Sequence, residues 1–151
     1  MRRALLLALA VSVLAACGGA DDDELFTPEA TTAADAFVRT FVAEGSADGA
    51  ARFAARAIGR SLAVWHAYLI RDGVRTVEGP GSPRSSCVKP FPVFAPRREG
   101  DCIVYRLVGL KPWADTGKTL MTTARFRVWL GREGGAWKIT EFDYTPHLET
   151  R

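Results

Sequence analysis

The chain has 151 residues, which fits one ordinary domain and excludes a large multidomain enzyme. It is 48% hydrophobic and 25% charged, the composition of a globular protein rather than a disordered or collagen-like one. Its 20 basic and 17 acidic residues are too balanced for a nucleic-acid binder, and three Cys with two His are too few for a Cys/His zinc framework. No metal or cofactor is expected.

Residues 1–16 read as a signal peptide. Arg2 and Arg3 give a positive start, and Ala4 to Ala16 form an apolar stretch broken only by Ser12. A bilayer core needs about 20 apolar helical residues, so this stretch is too short for a comfortable membrane span and suits a secretory signal. The junction Leu14-Ala15-Ala16-Cys17 resembles the lipobox of bacterial lipoproteins. That resemblance implies a diacylglyceryl group on the Cys17 thiol and cleavage just before it. It also implies palmitate-type acylation, with anchoring to the extracytoplasmic face of a bacterial membrane in the cell envelope. Multiple acyl chains at about 0.8 kcal/mol per buried CH₂ make such an anchor stable. The alternative is an ordinary secretory signal cleaved after Ala-x-Ala, with Cys17 unmodified. Gly18 follows Cys17, where some inner-membrane lipoproteins carry Asp.

If lipid takes Cys17, Cys87 and Cys102 remain, beyond the membrane in an oxidising compartment. An even pair there reads as a disulfide, and the spacing excludes a CxxC redox motif. The alternative is two buried free thiols. Residues 17–27 form a tether: Gly18-Gly19-Ala20, then the acidic run Asp21-Asp22-Asp23-Glu24, which repels itself and stays solvated. Without the signal and tether charges, the body from Leu25 has 18 basic and 13 acidic residues, a net of +5. That balance favours anionic ligands or a membrane surface.

Thr27-Pro28-Glu29 is a helix start, with a capping hydroxyl, Pro at the first position and an acid in the first turn. Ala33, Ala34, Phe37, Val38, Phe41 and Val42 make one apolar stripe that ends at Gly45. Ser46 or Asp48 caps a second helical segment. There Phe53, Ala57, Ile58, Leu62, Trp65 and Leu69 keep the helical period to Asp72-Gly73, with Gly59 as a dividing point. Beyond Gly73 the period changes. Val74 to Glu78 reads as a short strand, Gly79 to Pro83 as a loop, and 87–100 as a Pro-rich irregular edge. Cys102 to Leu110 is β-rich. Thr119 to Leu130 alternates, with Leu120, Thr122, Ala124, Phe126, Val128 and Leu130 on one face and Met121, Thr123, Arg125, Arg127 and Trp129 on the more exposed one. Gly131 to Gly135 reads as a hairpin loop. Ala136 to Thr145 returns as the last strand, and its apolar phase shift predicts a bulge near Thr140-Glu141.

Helices followed by an antiparallel meander predict an α+β fold over 28–146, with amphipathic helices packed on a curved sheet and a tail at 147–151. The order resembles the NTF2-like superfamily, the SnoaL or ketosteroid-isomerase-like cone. The resemblance rests on the helix Ala33–Val42, the strand Thr119–Leu130 and the ending Gly135-Ala136-Trp137-Lys138-Ile139. It implies a cone with a pocket between helices and sheet, in a superfamily of isomerases, hydrolases and non-catalytic pocket or adaptor domains. The Cys-bounded Pro-rich insertion departs from the simplest family pattern.

Motif tests yield little chemistry. Ser86-Cys87-Val88-Lys89 matches S-x-x-K but has no S-D-N or K-T-G partner. Thr116-Gly117-Lys118-Thr119 ends like a P-loop, yet the first Gly of that motif falls on Pro112, which lacks the needed N–H. Ser61 in Gly59-Arg60-Ser61-Leu62-Ala63 sits within helical periodicity rather than on a nucleophile elbow. His66 is a general-base candidate or a boundary residue, and His147 lies past the last expected strand. Glu141 and Asp143 share a strand face, as an acid/base pair or as a solvent-facing pair. Trp65, Tyr105, Phe126 and Phe142 are pocket candidates or core.

Two functions are compatible with these residues. One is a membrane-anchored envelope lipoprotein whose non-catalytic domain binds a small hydrophobic ligand or an envelope protein partner, with no nucleic acid. The other is a cone-pocket isomerase or hydrolase using Asp143 or Glu141 with His66 or Tyr105. The depth and lining of the space between helices and sheet discriminate between them.

Overall fold

The computed structural model describes residues 27–88 and 99–150. The signal, Cys17, most of the acidic tether and the Pro-rich stretch 89–98 lie outside the described residues. Helix α1 spans Pro28–Val38, and the Thr27 hydroxyl accepts from the Ala30 N–H at 3.3 Å. The helix continues as one π-helical turn, Arg39–Ala43. Ser46 caps α2 (Ala47–Ala51), accepting from the Gly49 N–H at 2.9 Å.

The second helical period is broken twice. Helix α3 is the single turn Arg56–Gly59, and α4 is Leu62–Arg71. Between α2 and α3 the backbone leaves the helix to pair with the sheet. Ile139 N–H donates to Phe53 O at 2.9 Å, and Ala55 N–H donates to Ile139 O at 2.8 Å. Those groups cannot also serve an i to i−4 ladder, so apolar spacing alone overstated the helix.

Four antiparallel strands follow in the order β1-β2-β3-β4: Val74–Val88, Glu99–Trp113, Lys118–Glu133 and Ala136–Thr150. The sheet is open, and the chain is α+β with its helices on one sheet face. Residues 79–83 are strand rather than loop. The register jumps from Glu78↔Arg106 to Ser82↔Val104, so Gly79-Pro80-Gly81 bulges out of an edge strand that continues past it. A Cβ on Gly81 would come within 2.6 Å of the Tyr105 ring, so only glycine fits there.

The β3–β4 turn is also tighter than expected. Glu133 pairs with Ala136 across Gly134 and Gly135, whose positive φ values of 61° and 80° suit a two-residue type I′ turn. The expected bulge is present: Trp129 faces Glu141 and Leu130 faces Ile139, so Thr140 is the inserted residue. Strand β4 runs to Thr150, five residues beyond the expected end. Pro146 is tolerated because β4 is an edge strand.

Phe37, Phe41, Leu62, Leu69, Ile103, Leu107, Phe126, Val128 and Ile139 form the buried core between helices and sheet. Leu120 was expected in it but stands only half-buried, toward the end of the sheet, outside the buried cluster. Thr122 on the same face is buried and donates to Asp72 O at 2.9 Å. A second small cluster lies on the opposite sheet face. There Cys87 and Cys102 form a disulfide with Cα atoms 5.9 Å apart, and it packs on Trp129 and Val104. Trp129 is therefore buried, not exposed, because the disulfide covers it.

Candidate functional site

The space expected to be a pocket is filled by rings. Phe37 and Phe41 lie one helical turn apart, with centroids 5.4 Å apart. Phe126 and Phe142 come from neighbouring strands at 5.5 Å, and Phe142 reaches Phe37 at 6.0 Å and Phe41 at 5.8 Å. Trp65 closes one side, edge-on to Phe142 at 5.8 Å. Of the four aromatic pocket candidates, Phe126 and Phe142 are interlocked core and Trp65 is a partly buried wall of the same cluster. His66 stands 5.8 Å from the Phe41 ring, half-buried at the edge of this cluster.

Tyr105 is placed differently. Its ring is buried, and its hydroxyl donates to Asp35 Oδ1 of α1 at 2.6 Å. Burial and the Asp35 carboxylate push its phenol well above the ordinary range, so it stays a proton donor. This end of Tyr105 opens onto a cavity of about 330 Å³ between α1 and the Gly79–Gly81 bulge, with Val38 and Arg39 on one wall and Val77 and Pro80 on the other. Past Arg39 an adjoining groove of about 500 Å³ reaches Glu44 and Arg75. The π-helical turn begins at Arg39, and such turns recur at functional positions. Asp35 and Arg39 were not singled out in the sequence. The available signal is two opposite charges at i, i+4 flanking the apolar stripe of α1.

A second buried polar group sits where α4 meets β1. Asp72 is 3% exposed, and its carboxylate takes bonds from Arg71 at 2.8 and 3.1 Å and from the Tyr144 hydroxyl at 2.9 Å. Burial works to raise the Asp72 carboxyl, but the bonds from Arg71 and Tyr144 outweigh it and hold the carboxyl below its usual value. Burial and the same bond to Asp72 raise the Tyr144 phenol. Both Asp72 carboxylate oxygens are engaged from within the fold, which makes this cluster a structural lock.

The proposed acid/base pair does not converge with Tyr105 or His66. Glu141 and Asp143 lie on the sheet face away from the helices, opposite Trp129 and Arg127. Asp143 is not solvated as the solvent-facing reading requires. Its side chain is 12% exposed and ion-paired to Arg127, itself 14% exposed, because cross-strand register puts the two side by side. Arg127 also donates to Val88 O at 2.9 Å. His147 lies within β4, opposite Thr123, and is exposed beside Glu149.

Among the described residues, no group of three or more metal-ligating side chains gathers, and no helix is long and apolar enough to cross a membrane. On the outside, α4 carries no Asp, Glu, Lys or Arg between Leu62 and Ile70, and it exposes Val64 by 59% and Ile70 by 55%. No protein-family model, curated protein or solved structure matches the chain.

Proposed function

We propose that the chain is an envelope lipoprotein, held at the membrane through Cys17, whose NTF2-like domain is a non-catalytic binding module that engages a protein partner on its outer surface. The observation that carries this reading is the ring cluster Phe37, Phe41, Phe126 and Phe142, which fills the space an enclosed hydrophobic ligand would need. Within that ring cluster, packing at crystal-like density leaves no room for a ligand without removing side chains. The carboxylates also support binding over catalysis: Asp143 is committed to Arg127 and Asp72 to Arg71 and Tyr144. The exposed Val64 and Ile70 of α4, ahead of Arg71 at its end, supply an apolar contact surface of the kind that marks protein interaction sites.

Two measurements test the reading. Labelling cells with a palmitate analogue marks the wild-type chain and not Cys17→Ala, and equal labelling of both removes the anchor. Titration with a small apolar probe such as benzene gives no saturable binding to the wild type, whereas Phe126→Ala gains it through the opened cavity. Saturable binding by the wild type would return the function to an enclosed pocket.

A further inference from the structure

The sheet face opposite the helices carries a trough of about 620 Å³ that spans all four strands. Two guanidinium groups line it. Arg106 of β2 and Arg125 of β3 are direct cross-strand partners. Such partners have Cβ atoms about 5 Å apart on one face, and like charges there weaken the sheet. One carboxylate, Glu78 of β1, lines the trough and bonds Arg106 with Nε and Oε2 3.0 Å apart. The Arg125 side chain makes no hydrogen bond or ion pair among the described residues. Among the described lining residues, two guanidinium groups face one carboxylate, which leaves the trough net positive, and the sheet holds two like charges as cross-strand partners.

We propose that this trough binds a phosphate ester, with the phosphate held between Arg106 and Arg125. A phosphate presents several acceptor oxygens in a tetrahedron. Two planar guanidinium forks can engage it together and lose their mutual repulsion as they do so. The Ser82 hydroxyl of β1 and the Thr123 hydroxyl of β3, which also line the trough, supply further donors. The volume lies in the range of small-molecule sites and exceeds what a bare phosphate fills. Val104 and Pro146 offer apolar wall to the organic part of the ester. The same chemistry is found in a soluble phosphate ester and in the headgroup of an anionic phospholipid. The site does not depend on lipidation of Cys17 or on the partner surface of α4.

The test is calorimetric titration of the full chain in a nonionic detergent with glycerol 3-phosphate and with dihexanoyl phosphatidic acid, which adds two short acyl chains to the same headgroup. One-to-one binding is expected. Arg125→Gln should weaken it about tenfold, the loss of one charge-assisted contact. Glu78→Gln frees Arg106 and should tighten it about threefold. Arg60→Gln, a loss of equal charge on the helical side, should leave it unchanged. Arg125→Gln relieves a repulsion, so its melting temperature should not fall. Tighter binding of the lipid by more than about tenfold assigns the site to a membrane headgroup, and equal binding assigns it to a soluble ester. No binding of either compound at about 10 mM, or equal weakening by Arg60→Gln and Arg125→Gln, overturns the proposal.

Discussion

The Tyr144 hydroxyl donates to the Asp72 carboxylate at 2.9 Å, joining the last strand to the end of α4 across 72 residues of sequence. Thr122 holds the Asp72 carbonyl from the strand between them. Asp72 thus ends α4, turns the chain into β1 and fastens both to the sheet. A buried carboxylate deprived of one partner is costly, so Tyr144→Phe should destabilise the domain by about 1–3 kcal/mol in urea melts.

Acid should act through the same group. The folded-state carboxyl of Asp72 is held below its ordinary value, so its contribution is present above the unfolded-state carboxylate range near pH 4. It is lost as pH falls through the lower, folded-state value. Stability measured from pH 6 down to pH 2 should decline, and Asp72→Asn should flatten that part of the decline while lowering stability at neutral pH.

Phe126 is fully buried against Phe37, Phe41 and Phe142. Truncating it to Ala should cost about 3–5 kcal/mol through loss of apolar burial and the cavity left behind. A cost below about 1 kcal/mol would mean that the helices do not pack on the sheet as described.

Asp143 lies outside that core but is held by Arg127 and by the Thr145 hydroxyl at 3.2 Å. Asp143→Asn leaves a largely buried guanidinium without its counter-charge and should cost about 1–3 kcal/mol, more than a solvated surface carboxylate would. A double-mutant cycle with Arg127→Gln should return a coupling energy above about 0.5 kcal/mol.

The Cys87–Cys102 disulfide closes a 15-residue separation and covers Trp129. In the chain-entropy picture it contributes about 3 kcal/mol. Reduction should lower the melting temperature and shift tryptophan emission to the red as Trp129 meets water. Replacing Trp129 with Phe should remove much of that spectral shift but leave the loss of stability.

The sequence by itself determined the features that depend on neighbours a few residues away. Thr27-Pro28 starts α1 because a capping hydroxyl and a ring-fixed φ act locally. The apolar stripe through Phe37 and Phe41 marks the buried face, and the phase shift after Ile139 marks the bulge at Thr140. The Cys87–Cys102 pairing followed from the sequence only with Cys17 assigned to lipid, and the β-rich second half predicted the antiparallel sheet. Only the tertiary structure decided the polar partnerships: Tyr105 with Asp35, Tyr144 with Asp72, and Arg127 with Asp143. Each joins residues 16 to 72 positions apart, and cross-strand register and helix docking set their geometry, which no local period encodes. The same holds for Gly79-Pro80-Gly81, whose composition reads as a loop. Tertiary pairing on both sides of the bulge keeps it inside β1, and contact with the Tyr105 ring demands its glycine. Arg106 and Arg125 follow the same rule: 19 residues apart, they become neighbours only when β2 and β3 pair, and that pairing concentrates their charge on one face.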